Sequence, residues 1–401
     1  MAAAVSLGMT RFAYALLLPP MREDLSWTYT LAGAMNTFNA LGYLVGALLT
    51  PWGLRRWGAV RVLIVGSFLA SVLMAMTGFF TDALSLLLQR FLAGVASAAV
   101  FVSGGLLAAR LGSLLPSQSG LLLGIYYGGT GWGIVISALC VPTAIALSAA
   151  NHAQHTWSWA WWCLAFICAI ISAALYLIRS HLNRWMPELS TAASVPPNEN
   201  QSSLPTTTLT PPSQPAWRVW TAGLLGYGLF GVGYIGYMTF VVAVLREQGA
   251  PSSNITFFYA TLGLAVVASS RIWAGLLNHF KGGQALAILN ALLSVATLIP
   301  ALTSAWPAML LSGILFGGVF LSVVASTTAM VKHNLPATQW ASGISAFTVV
   351  FAVGQIVGPT VVGWIADGPG GLQRGLVFSA AALLLGAIVA WQQKPLQSQT
   401  S

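Results

Sequence analysis

The sequence predicts an all-α integral membrane protein with twelve transmembrane helices arranged as two six-helix pseudo-repeats. Three observations lead there. Of 401 residues, 57% are hydrophobic and 6% charged. A soluble domain carries about 25% charged residues, so this chain cannot cover a water-facing surface. Twelve apolar runs are close to the roughly 20 residues that cross a bilayer. The two halves of the chain also align on each other at a nearly constant shift.

The runs lie near 2–18, 30–51, 61–80, 84–108, 120–142, 160–178, 217–244, 255–277, 284–303, 306–330, 340–365 and 375–391. The first opens at Met1 without the basic flank or cleavage site of a leader. It carries one charge, Arg11, with Tyr14 three residues on. The second has Asn36 and Asn39 near its start and ends in the basic loop LRRWGAVR, with Arg55, Arg56 and Gly58. After the plain third run, the fourth opens QRFLAGVASA. Arg90 is its interior charge, with Asp82 at the edge as a candidate partner. The fifth carries Tyr126, Tyr127 and Trp132.

Cys140, Cys163 and Cys168 lie in apolar stretches. The last two are five apart and do not share a helix face, so they read as small buried residues rather than a disulfide or metal site. Residues 180–216 are rich in Pro, Ser and Thr and lack apolar periodicity. They read as a linker between bundles 1–179 and 217–391, with 392–401 as a tail.

The seventh run contains Tyr234 and Tyr237 around GVGYIG. This GxGxxG lacks the strand before it and the acid after it that a dinucleotide site needs. Inside a membrane helix such glycines serve close packing, and no cofactor is expected. The eighth run carries Arg271 and leads into GLLNHFKGG, with Lys281 and Gly282. The ninth and tenth are apolar. The eleventh holds Gln355 within GQIVGPTVVGWIAD, and the twelfth ends the series.

A shift of 223 places Gly231 on Gly8, Tyr234 on Arg11, Tyr237 on Tyr14, Gly317 on Gly94 and Gly354 on Gly131; 224 places Gly282 on Gly58. Six helices per repeat is even, so both halves share one topology about an axis along the membrane normal. That architecture puts the substrate at the midplane between halves that rock around it.

Charge sets the expected orientation. Arg55, Arg56, Arg61, Arg110, Arg179, Arg184, Arg218, Lys281, Lys332 and Lys394 fall on one side, and Arg22, Arg246 and Arg374 on the other. Ten against three places both termini in the cytoplasm. The same bias accounts for the net charge of +9 without any nucleic-acid partner.

The acids are Glu23, Asp24, Asp82, Glu188, Glu199, Glu247 and Asp367, none in the middle of a run, and all five histidines lie in loops. His152 and His155 have the spacing of a metal pair, but loop polarity is the better reading. No P-loop, GxSxG or HExxH appears. The interior charges are therefore Arg11, Arg90 and Arg271. An arginine at the bilayer centre costs about 2.5–3.5 kcal/mol on insertion scales and faces a cavity or a partner. Its planar fork suits a carboxylate or phosphate. The alternative is bonding to backbone carbonyls, or snorkelling.

The basic loop after the second helix, the Arg-x-x-x-Gly of the fourth and the two six-helix halves resemble the major facilitator superfamily, over essentially the whole chain. RFAYALLLPPM, LAGAMNTFNALGYLVGALL and GIYYGGTGWGIVIS are similar to the YbfB/YjiJ-type family of bacterial inner-membrane transporters. The resemblance implies a fold and a class, and no substrate. It implies a cavity lined by helices 1, 4, 7 and 10 and flanked by 2, 5, 8 and 11. Monocarboxylate and oxalate-type carriers look similar around Arg271. The superfamily's acid in the loop after helix 2 is replaced here by Arg55, and by His279 in the second copy.

The expected function is secondary transport of a small solute across a bacterial inner membrane by alternating access. The narrower expectation is an organic anion held by Arg11 or Arg271. The cavity would add Tyr14, Asn36, Tyr126, Tyr127, Trp132, Tyr234, Tyr237 and Gln355. Arg90, Asp82, Arg55, Arg56, Gly58, Lys281 and Gly282 would serve gating or structure. Protons are the candidate coupling ion, carried by the substrate's carboxylate or by Asp82. The alternative is efflux of hydrophobic drugs or metabolites through an aromatic pocket, with structural arginines. A receptor would need more than the 180–216 loop and a short tail for signalling. A membrane enzyme would need clustered acids or histidines.

Overall fold

A computed structural model describes residues 1–114, 119–184, 217–336 and 339–396. Most of the expected linker and the end of the tail lie outside those residues. Among the described residues every regular element is helical. Besides the short Arg179–Arg184 and Trp217–Trp220, in chain order they are a π-helical segment Ala4–Phe12 running into α1 (Tyr14–Asp24), then α2 (Tyr29–Trp57), α3 (Ala59–Thr77), α4 (Ala83–Leu114), α5 (Ser119–Ala150) and α6 (Thr156–Leu177). The second set is α7 (Thr221–Glu247), α8 (Ser252–Ile272, continued by Ala274–His279), α9 (Gln284–Leu302), α10 (Trp306–Asn334), α11 (Trp340–Ala366) and α12 (Gly371–Trp391). Ten helices, α3 to α12, are long and apolar enough to cross a membrane. The divided α1 and the amide-bearing α2 complete the series.

The first helix departs from expectation. It continues to Asp24, through Pro19 and Pro20, rather than stopping at Leu18. Each proline removes a donor but fixes φ near its helical value. With Leu16 to Met21 all buried, packing holds the helix across the loss.

The repeat is visible in backbone geometry. After α1, Leu25 N–H donates to the Met21 carbonyl at 2.9 Å and Trp27 N–H to the Arg22 carbonyl at 3.0 Å. After α7, Gln248 N–H donates to Val244 and Ala250 N–H to Leu245, both at 3.0 Å. Every atom in the second pair lies 223 residues after its mate. Both turns pass through positive φ, +54° at Ser26 and +79° at Gly249. Packing repeats too. A Cβ on Gly94 would lie 2.1 Å from the Asn39 carbonyl oxygen, and one on Gly317 would lie 2.3 Å from that of Leu262. Gly58 and Gly282 are mates with different tasks. Gly58 holds φ +79° between α2 and α3, whereas a Cβ on Gly282 would meet the Gln393 carbonyl at 2.6 Å. Arg55, Arg56 and Lys281 beside them are exposed.

The chain ends lie on one face, called the terminal face. Ala2 clusters there with Ala59, Leu107 and Leu175, and Gln393 bonds Val219 and Gly283. The opposite face, called distal, holds the α1–α2, α5–α6, α7–α8 and α11–α12 turns. The two repeats meet along α2–α11 and α5–α8, with α1 against α7.

One group of polar contacts across the seam lies at the distal face. The Asp367 carboxylate, just after α11, accepts from Tyr29 N–H at 2.7 Å, Thr30 N–H at 2.8 Å and the Thr30 hydroxyl at 2.6 Å. Thr28 accepts from Leu31 N–H at 3.2 Å. The first three donors of α2, otherwise without intrahelical partners, are thus capped, two of them by the other repeat. Partial burial pushes the Asp367 pKa up, but the hydrogen bonds from Thr30 and Tyr29 and the Arg22 charge together hold it below its ordinary value. Beside it Arg246 pairs with Glu23 at 3.6 Å, Arg22 covers the Tyr29 ring at 3.8 Å, and the Tyr29 hydroxyl donates to Glu247. A cavity of about 120 Å³ lies among them. A Cβ on Gly33 or Gly363 would come within 2.2 Å of a carbonyl oxygen across the seam, so the backbones touch there.

Candidate functional site

Of the basic residues, Arg11 and Arg90 alone are buried among those described, each 3% exposed. Neither meets a carboxylate; the ion pairs among the described residues, Asp24–His155 and Glu23–Arg246, are distal and solvent-accessible.

Arg11 lies in the last turn of the π-helical segment. π-Helices are rare and occur mostly as short insertions at functional sites. Here the wider winding ends where Ala13 N–H donates to Gly8 at 3.2 Å and Leu16 N–H to Ala13 at 3.0 Å. At this change of pitch two carbonyls take side-chain donors. Thr10 receives Arg90 Nη1 at 2.9 Å, and Phe12 receives the Tyr259 hydroxyl at 2.6 Å from the other repeat.

The Arg11 guanidinium donates through Nη2 to Gln355 Oε1, which also accepts the Tyr234 hydroxyl at 2.9 Å. This joins α1, α7 and α11 near mid-membrane. The ring of Tyr43, on α2, lies 5.8 Å from the Arg11 guanidinium carbon. Arg11 Nε is buried without a hydrogen-bond partner.

Arg90 is held differently. Besides Thr10, it donates through Nη2 to Asn36 Oδ1 at 3.1 Å. The Tyr14 and Trp161 rings lie 4.8 and 5.6 Å from it. Asn36 donates in turn to Thr239 on α7 at 2.8 Å. The Tyr14 hydroxyl is committed to the Ala32 carbonyl at 2.9 Å. Tyr237, its repeat mate, stacks on Phe316 at 4.0 Å and bonds Ser312 at 2.7 Å.

The sequence-expected set therefore divides. Arg11, Tyr234 and Gln355 form one network. Tyr14, Asn36 and Arg90 form a neighbouring one on the distal side, and Tyr237 packs in its own repeat. Arg271 does not belong. It is exposed next to the end of α8, because α8 breaks at Trp273, and it meets neither arginine network. Trp132 is 53% exposed on α5 and faces away from the cluster. Asp82 does not pair with Arg90. It is exposed and caps α4, accepting from Ser85 N–H at 2.8 Å, and that hydrogen bond lowers its pKa. Tyr126 bonds the Phe101 carbonyl at 2.6 Å and packs with Tyr127, toward the terminal face. His155 is engaged by Asp24 at 2.6 Å, with Trp157 donating to the same oxygen at 2.5 Å.

Sequence reasoning missed Tyr43, Thr239 and the distal latch. Two signals were present. Asn36, Asn39 and Tyr43 share a helical i, i+3, i+7 spacing. Arg22-Glu23 and Arg246-Glu247 repeat at a shift of 224.

Two surface clefts, about 590 Å³ beside Asp367 and Arg374 and about 580 Å³ around the C-terminal segment, lie away from these networks.

The profile of a family described as "Uncharacterised MFS-type transporter YbfB" matches residues 3–391. A stretch of 153 residues is 27% identical to the "Putative tartrate transporter" of Agrobacterium vitis, covering 36% of this chain and only 34% of that protein. A mutant of the nucleoside transporter NupG superposes with a TM-score of 0.67 at 14% identity, over 98% of each chain. The human organic anion transporter MFSD10 does so at 0.61 and 16% identity, over 97% of this chain and 98% of its own.

Proposed function

The chain belongs to the YbfB-type family of major facilitator transporters, and from that premise we propose that it carries a small organic anion by alternating access, with Arg11 as the anion contact. The observation behind the choice is the Arg11 guanidinium. It is buried at the junction of the two repeats, faces no acid among the described residues, and spends one donor on a neutral amide. A buried positive charge is costly until paired, and a substrate carboxylate supplies the pair. The Agrobacterium relative named for tartrate and the fold neighbour named for organic anions support this class.

In this reading the distal face is periplasmic, the terminal face cytoplasmic and the membrane the bacterial inner membrane, on the ten-against-three distribution of basic residues. The distal latch then makes this an inward-facing arrangement. The two six-helix bundles are the rocking bodies. Among the described residues no carboxylate sits in the buried networks, and in this reading a coupled proton travels on the substrate's own carboxyl group.

The test is uptake and solid-supported-membrane currents in proteoliposomes, over a panel of carboxylates, sugars and lipophilic cations. Anion-dependent signals are expected. Arg11→Ala should weaken binding by about 1.5–3 kcal/mol, the worth of a hydrogen bond to a charged group. Responses to cations or neutral compounds alone would overturn the reading.

A further inference from the structure

We infer that the site takes an aromatic monocarboxylate, its carboxylate on Arg11 and its ring between aromatic walls supplied by both repeats. This rests on the anion reading and narrows it. The observations are the single available cation and the nature of the walls around it.

Arg90 is the more committed of the two arginines. Both of its terminal nitrogens already donate, one to the Thr10 carbonyl and one to Asn36 Oδ1, and two rings lie 4.8 and 5.6 Å from it, although its Nε, like that of Arg11, has no partner. No other basic side chain among those described is buried. One fork is therefore left for one carboxylate. A second carboxylate or several hydroxyls would have to lie against rings.

The walls begin at Arg11 itself. From the first repeat, Tyr43 lies beside the guanidinium. Phe101 sits 6.5 Å from Tyr43 and 5.8 Å from Tyr127. These rings become more accessible toward the terminal face: Tyr43 and Phe101 are half-buried and Tyr127 is 41% exposed. From the second repeat, Tyr234 shares Gln355 with Arg11 and stacks on Phe351 at 5.6 Å with planes 20° apart. Phe351 is also half-buried. Ring pairs prefer offset or edge contacts at centroid distances of about 4.5–7 Å. Apolar walls with one charged group are the usual form of a pocket for an amphipathic ligand.

The experiment uses the purified full chain in detergent, with binding read by calorimetry and thermal shift. The probes are benzoate and phenylacetate, against L-tartrate, succinate and the neutral isostere benzamide. Benzoate or phenylacetate should bind at least tenfold tighter than tartrate, succinate and benzamide. Tyr43→Ala and Phe101→Ala should each lower aromatic-acid affinity at least fivefold while leaving acetate affinity within twofold. Tight tartrate or succinate binding with none of benzoate would overturn this inference and leave the anion reading standing. Benzamide binding equal to benzoate, or no carboxylate binding at all, would overturn both. Aromatic-acid affinity unchanged in both folded variants would remove the aromatic walls from the site.

Discussion

At the scale of residues, two buried arginines have opposite duties although both are interior charges in apolar runs. Arg90 ties α4 to the Thr10 carbonyl and to Asn36, so its loss leaves two buried acceptors without donors. Arg90→Ala should lower thermal stability, each charge-assisted bond being worth about 1.5–3 kcal/mol, and thermal unfolding in detergent would read it. Arg11→Ala should leave the melting temperature nearly unchanged and weaken anion binding by about 1.5–3 kcal/mol. The pattern of the sequence found both arginines and put Arg11 with the substrate and Arg90 with gating or structure, without naming the partners of either. What separates them is the partner each meets: Arg90 reaches the Thr10 carbonyl in the π-helical segment, whereas Arg11 reaches an amide of the other repeat. Arg271 shows the converse. Its sequence context looked like a substrate site, yet the break of α8 at Trp273 leaves it exposed.

Among elements, the turn after α1 and the cap of α2 are the informative pieces. Ser26 adopts φ +54° where its mate Gly249 adopts +79°. A left-handed conformation costs a non-glycine residue about 1–2 kcal/mol. Ser26→Gly should therefore raise thermal stability modestly, measured as an upward shift in melting temperature. Asp367 caps α2 from the opposite repeat. Because its pKa is held below the ordinary carboxylate value, its contribution is fully present above about pH 4 and is lost as pH falls through the lower value. The latch should thus hold at neutral pH. Asp367→Ala should shift the population toward distal-open forms, seen as increased labelling of a cysteine placed at Tyr29 in a cysteine-free background. Unchanged labelling would assign closure to the α1–α7 contacts instead.

For the whole molecule, the proposed alternating access requires the distal seam to part while the repeats keep their internal packing. Glu23 and Arg246 lie across that seam and pair at 3.6 Å. Cysteines at those two positions, joined by a short bifunctional reagent, should abolish turnover. Substrate binding from the terminal face should survive, because Arg11, Gln355 and Tyr234 lie deeper. Retained transport after complete cross-linking would exclude rocking about this seam.

The amino-acid sequence alone determined the membrane class, the order of the apolar runs and the repeat. Hydropathy, turn chemistry and a constant shift are local properties, written residue by residue. It also determined that any interior charge would be arginine. Only the tertiary structure decided which arginine meets the other repeat, that Asp82 caps its own helix, and that Asp367 caps α2 from across the seam. Those outcomes depend on which helix faces stand opposite each other across the junction, and local periodicity in one chain segment carries no record of the segment packed against it.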